Sequence, residues 1–353
     1  DKTDAQVTTS VSNAYIKQLG SASRAALSYA DLAPGVTLTL QASAGAAANL
    51  CITCGTRANV NGSFDARSTY YLDGIQNFGA YRNYALQFPS PDAVQEVSVS
   101  TSNTSAQYGA QMGGAINVVT KSGTNHFHGD AFYFFSPEAL SANDAGRKFY
   151  NSPKVPNKLK EVGGTLGGPV IRNKTFFFAS YQRYTNSSAQ EQSGARPGTP
   201  DMMLGDFGDL LDPASGSGLA PVQLYDPNYP GQSQPIPNNN LETYISPVTG
   251  ESLLNPVGLN LAKYMPTVAN YGNQFIWQYT DPQVNNEILA KIDQSFGNTQ
   301  HLAVSYFHVW GVSTLPGMGN NWNNVPKYGP ELDKSNQTDL SVRYSWAPSS
   351  SLL

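Results

Sequence analysis

From about residue 124 onward the chain alternates apolar and polar positions with period two over unusually long runs, the pattern of strands that keep one face dry. Phe127, Gly129, Ala131, Tyr133 and Phe135 fall on one face, with His126, His128, Asp130, Phe132 and Phe134 on the other. Such a run is longer than most strands of small soluble sheets. The same pattern predicts strands over 159–170, 175–185, 285–295, 300–312 and 336–346. In the fourth strand Ile288, Ala290 and Ile292 alternate with Glu287, Lys291 and Asp293. In the fifth Leu302, Val304, Tyr306 and Trp310 share a face; in the sixth Leu340, Val342, Tyr344 and Trp346 oppose Asp339, Ser341, Arg343 and Ser345. Glycines at 163, 164, 167 and 168 imply bending or close backbone approach in the second.

The N-terminal third reads differently. Ala22, Ala25, Ala26, Tyr29 and Ala30 give 21–31 a helical face that ends at Pro34-Gly35. Residues 37–55 suggest a strand and then a Gly/Ala loop. Thr69–Leu72 enters a tight turn at Asp73-Gly74, since Asp-Gly supplies the positive φ such turns require. Strands are predicted over 94–100 and 115–120.

A soluble sandwich and a barrel share this alternation, so the connections decide. Those at 171–174 and 296–299 are short, whereas 138–158, 187–284 and 313–335 are long. Short turns on one side and long loops on the other mark outer-membrane barrels. The longest loop carries two predicted helices, one from Thr199-Pro200 with Met203, Phe207, Leu210 and Leu211, one from Asn255-Pro256 with Val257, Leu261 and Tyr264.

Composition agrees. Charged residues are 13% of the 353, about half of the roughly 25% usual in soluble domains, and Gly 32, Tyr 20 and Phe 15 suit strands and turns. No apolar run approaches the roughly 20 residues of a membrane helix, so entry into a bilayer would be by strands. A net charge of -4 offers no basic surface for nucleic acid. Residues 1–6 lack signal-peptide features, which implies that a leader was removed or lies upstream. Cys51 and Cys54 are two ligands short of a zinc site and read as a local disulfide or free thiols. His126, His128 and Asp130 could share a face as metal ligands, but the structural reading is preferred and no metal or cofactor is expected. No nucleophile, base and orienter form a set, so an enzyme is disfavoured.

Several ordered motifs resemble the TonB-dependent outer-membrane receptors, in particular their Oar-like branch. They are Tyr71-Leu72-Asp73-Gly74-Ile75, Asp92-Ala93-Val94-Gln95-Glu96-Val97, the run from Tyr108 to Gly123, Asn125-His126-Phe127-His128-Gly129, Gly167-Gly168-Pro169-Val170 and Lys174-Thr175-Phe176-Phe177-Phe178. Two departures stand out: Ser98 to Ala106 replaces the Arg-Gly of many relatives, which favours the Oar-like branch, and residues 1–10 hold no TonB box, which places the coupling segment upstream.

The resemblance implies an α+β plug at 1–123 and, from 124 to 353, mainly antiparallel strands curving around it as an incomplete transmembrane β-barrel. The long segments would be extracellular loops. A membrane sheet must close, and plugged transporters use about 22 strands; six are counted here. The sequence is therefore expected to be part of a longer protein, neither inserting nor transporting by itself.

By the same resemblance, a ligand binds between plug apices and outer loops, and the TonB-ExbB-ExbD inner-membrane complex drives plug rearrangement and import. Three apices are implied, 41–55, 61–67 and 78–88. Tyr81, Arg82, Asn83 and Tyr84 suit a sugar, peptide or aromatic ligand, or else pack plug against barrel. Asp65 and Arg67 either join that site or form an ion pair within the plug, and Lys291 and Asp293 look inward toward the plug. Siderophore, oligosaccharide and peptide stay open as ligands. An adhesion or secretion barrel is the alternative function; a soluble carbohydrate-binding β-protein is a third.

Overall fold

The protein is described by a computed structural model over residues 7–19, 24–40, 56–64, 67–79, 84–102, 113–143, 145–149, 154, 157–193, 198–212, 221–263, 276–316 and 330–347. The N-terminal part contains strands β1 (Val7–Ser12), β2 (Val36–Leu40), β3 (Thr56–Val60), β4 (Thr69–Leu72), β5 (Ile75–Gln76), β6 (Phe78–Gly79), β7 (Tyr84–Ala85), β8 (Val94–Ser102) and β9 (Ala115–Thr120). Five of them form a sheet in the order β1-β8-β9-β4-β5, with β4 parallel to β9 and the other pairs antiparallel. Alternation explains the centre of that sheet: Val97 and Val99 of β8 and Ile116 and Val118 of β9 are fully buried. Asp73 and Gly74 both take positive φ, 50° and 84°, in the turn between β4 and β5.

The second sheet has six strands, β10 (His128–Ser136), β11 (Asn157–Ile171), β12 (Thr175–Ser193), β13 (Ile276–Phe296), β14 (Gln300–Pro316) and β15 (Pro330–Trp346). They pair antiparallel in sequence order, and the sheet is not closed: among the described residues β10 and β15 each have one neighbour. Alternation sorts its faces. Ile288, Ile292, Leu340, Val342, Tyr344 and Trp346 are exposed, while Glu287, Lys291, Asp293, Ser305 and Ser341 are buried on the opposite side. Greasy side chains facing outward and polar ones facing inward invert a soluble protein.

The structure refines four expectations. Of the helix read over 21–31 the described residues form a 3-10 helix, Ala26–Leu32, which begins only after Arg24 takes a left-handed φ of 44°; Ala25, Ala26, Tyr29 and Ala30 are buried as expected, and Ala22 lies outside the described residues. Strands β12 to β15 run further than the apolar alternation, since polar residues such as Asn186, Ser187 and Ser188 keep the backbone pairing with β13. The intervening segments are correspondingly shorter, 137–156, 194–275 and 317–329. The start of the longest segment holds turns and the short 3-10 helix Gly208–Leu211, but the expected helix at Asn255 is present (Pro256–Ala262), with the Asn255 side chain accepting from the Val257 N–H. Finally, the inner face is not wholly polar. Phe178, Leu289, Phe307 and Val309 point inward and share one hydrophobic cluster with Tyr70, Phe88, Val94 and Val97 of the N-terminal part.

Candidate functional site

Buried polar groups must find partners, and those on the inner face of the long sheet find them on the N-terminal part. Lys291 stands 3.6 Å from Asp73 Oδ1 and donates to Thr120 Oγ1 at 3.2 Å. The Asp73 carboxylate also accepts from the Thr120 N–H at 2.9 Å and hydroxyl at 2.6 Å. The Asp-Gly turn aims that carboxylate, so a local turn signal places one half of a long-range ion pair.

Three further contacts extend the seam. Glu287 accepts from the Ser90 backbone N–H at 2.6 Å, beside a 3-10 turn (Pro91–Ala93) whose cap is the Ser90 hydroxyl. Gln337 accepts from the Gln87 N–H at 3.0 Å and donates to Asn77 Oδ1 at 3.2 Å. Arg24 donates to Glu161 Oε2 at 2.6 Å and to Asp92, with its guanidinium 3.5 Å from the Phe134 ring centre. Below it lies a cavity of about 590 Å3, lined among others by Lys17, Tyr29, Asp130 and Phe132. Burial, aided by the like charge of Lys17, holds the Lys121 ammonium below the usual lysine range against the opposing pull of Asp130.

Of the residues singled out from sequence, Lys291 does face inward onto the N-terminal part. Asp293 also faces inward, and His301 Nε2 lies 3.6 Å from its carboxylate. His128 is engaged by the His126 carbonyl and Thr124, and Asp130 pairs with Lys17 and Lys121. No group of three or more His, Cys, Asp or Glu that could hold a metal occurs among the described residues. Tyr84 is half-buried with its ring against Gly79, where a Cβ would meet it at 2.7 Å. Arg67 is exposed and its carbonyl accepts from the Gly113 N–H. Asp65, Tyr81, Arg82, Asn83, Cys51 and Cys54 lie outside the described residues. Sequence reasoning missed Arg24, Glu161, Gln87, Ser90 and Gln337. The available signal was a lone glutamate on the inward phase of β11, next to a run of glycines.

Comparison with known proteins accords with this geometry. A family model described as an outer membrane beta barrel domain matches residues 119–353, and one described as a TonB-dependent receptor plug domain matches residues 1–116. The TonB-dependent transporter Oar of Myxococcus xanthus is 31% identical over 138 residues, which are 36% of this chain and 13% of that protein. The outer membrane transporter YddB from Escherichia coli superposes with a TM-score of 0.54 at 11% identity, over 96% of this chain and 37% of that one. The chain thus spans well under half the length of these relatives.

Proposed function

Because this chain belongs to the TonB-dependent outer-membrane receptors, in their Oar-like branch, and so resides in the outer membrane of a Gram-negative bacterium, we propose that it binds a ligand at the extracellular face and imports it by energy-coupled rearrangement of the plug. In this reading residues 1–123 are the plug and 124–353 form wall strands and extracellular loops. The TonB-ExbB-ExbD complex supplies the force.

The observation that carries the proposal is the polar seam. Plug and wall meet through separable hydrogen bonds and ion pairs around a small apolar patch, so the plug is held in register yet can shift without unravelling the wall's backbone ladder. A barrel for adhesion or secretion without energised import gains no specific support. The ordered outer loop exposes Asp201, Asp212, Glu242 and Glu251, which favours a neutral or cationic cargo such as an oligosaccharide or basic peptide over an anionic iron chelate.

Uptake by cells expressing the receptor tests the reading, with a labelled ferric siderophore, an oligosaccharide mixture and a basic peptide library as probes. Saturable uptake of one class is expected, lost when the proton gradient is collapsed and weakened at least about tenfold by Tyr81→Ala with Arg82→Ala, the loss of two anchoring contacts. Uptake that survives collapse of the gradient overturns energised import.

A further inference from the structure

Along the seam lies a small, partly open polar pocket lined by Gln87, Gln182, Tyr184, Asn285, Asn286, Glu287 and Val309. Its free space suits about one water-sized group. Gln182 and Glu287 are direct cross-strand neighbours on β12 and β13, which puts their side chains about 5 Å apart on the inner face. Both are buried, 3% and 5% exposed.

Among the oxygens at this cavity, Gln87 Oε1 and Gln182 Oε1 have no hydrogen-bond partner among the described residues, although their residues are 4% and 3% exposed. Rotating the Gln87 amide does not help, because the Glu287 carboxylate already accepts from it and a flip would turn a carbonyl onto a carboxylate. An unsatisfied buried acceptor costs about 1–3 kcal/mol, so this pair beside Glu287 favours a guest that offers them a donor or a cation.

Charge points the same way. Asp92, Glu161 and Glu287 lie close enough to repel one another. Among the described residues the cation in contact with them is Arg24, which serves Asp92 and Glu161 but not Glu287. Lys121 pairs with Asp130 and feels Asp92 only at longer range. Glu287 is left with neutral donors only, the Ser90 N–H and the Gln87 amide.

We propose that this cavity is a binding site for one monovalent alkali cation, sodium in size, held by the Glu287 carboxylate and the side-chain oxygens of Gln87 and Gln182, and that its occupancy pins plug to wall. Hard cations take oxygen ligands, and calcium wants six to eight of them, more than this small cage provides. Gln87 comes from the plug while Gln182 and Glu287 come from the wall, so the ion bridges the two and leaves when they part.

The test is thermal unfolding of the purified full-length receptor in detergent at constant ionic strength, with sodium chloride replacing N-methylglucamine chloride. A saturable rise in melting temperature is expected, absent in Glu287→Gln, whose amide oxygen can still accept from Ser90. In Gln182→Leu the half-saturating concentration should rise at least about tenfold, the scale on which losing a supporting group weakens metal sites. Equal melting temperatures in both salts, as a single water in the cavity would give, overturn the proposal. So does a sodium response that is undiminished in the variants; where Glu287→Gln does not fold, Gln182→Leu alone decides.

Discussion

Lys291 shows how much one inward charge can depend on residues far along the chain. Its period-two position was legible from Glu287, Lys291 and Asp293 alternating with Ile288, Ala290 and Ile292. Its partners were not, because Asp73 and Thr120 lie well over a hundred residues away and no local pattern encodes that pairing. Removing one member of a buried pair costs about 3–5 kcal/mol. Since Asp73 keeps two bonds from Thr120, Lys291→Met should fall at the lower end of that range. Urea unfolding and protease sensitivity of the plug should report the loss while the wall keeps its heat-modifiable electrophoretic mobility; the double change with Asp73→Asn should recover part of it. At the joint between plug and wall, a Cβ on Gly123 would stand 2.3 Å from the Phe177 carbonyl oxygen and 2.7 Å from that of Gly168. Backbone cannot yield as a flexible side chain can, so Gly123→Ala should destabilise by about 1–3 kcal/mol, and an unchanged urea midpoint would count against this packing.

Elements were legible wherever side-chain pattern and backbone pairing coincide. Strands β8, β9 and the central parts of β10 to β15 follow that rule, as does the Asp73-Gly74 turn. Strand β1 escaped because Val11 is the one buried residue among its six. The outer ends of β12 to β15 escaped because polar residues there pair through main-chain bonds that any sequence can make. The loop between β12 and β13 is a third case. Rich in Pro, Gly and Asn, it is ordered by buried polar side chains: Asn239 accepts from the Leu224 N–H at 2.7 Å and donates to the Val222 carbonyl at 2.7 Å. Asp226 accepts from the Asn228 N–H at 2.8 Å and the Tyr244 hydroxyl at 3.1 Å. Burial pushes the Asp226 carboxyl up, but hydrogen bonds from Ser246, Asn228 and Tyr244 together outweigh it and hold it below the usual aspartate range. A depressed carboxylate stabilises the folded loop above the unfolded value, near 4, and that contribution disappears as pH falls through the lower folded value. The protection factors of residues 222–246, that is exchange corrected for its intrinsic pH dependence, should therefore stay high at neutral pH and fall on acidification below about 4. Asp226→Asn should lower them already at pH 7, and a loop indifferent to both changes would remove Asp226 from the explanation.

At the scale of the molecule, the exposed face of the six-stranded sheet carries a measurable membrane signature. Aromatic residues gather at the short-turn end, where Phe127, Phe296, Tyr344 and Trp346 are exposed, and again higher up at Tyr133, Phe135 and Trp310. Trp346 pairs with Gln300, while Trp310 lies ten residues further along β14. At about 3.3 Å per residue and a tilt near 40°, that separation is about 25 Å of height, the thickness of the apolar band on outer-membrane barrels. Between these girdles β14 and β15 turn Leu302, Val304, Tyr306, His308, Thr338, Leu340 and Val342 outward, with no Asp, Glu, Lys or Arg among them. If lipid covers this face, the cost of a charge must depend on depth. Leu340→Arg, near the middle of the band, should destabilise the receptor by about 2–4 kcal/mol, and Trp346→Arg by only about 0–1 from its lipid contact, measured by chemical unfolding from phospholipid bilayers. A second protein sheet packed on this face would penalise both positions through lost packing and produce no such gradient, so two equal costs would remove the lipid assignment and with it the basis for reading the buried face as the lining around a plug.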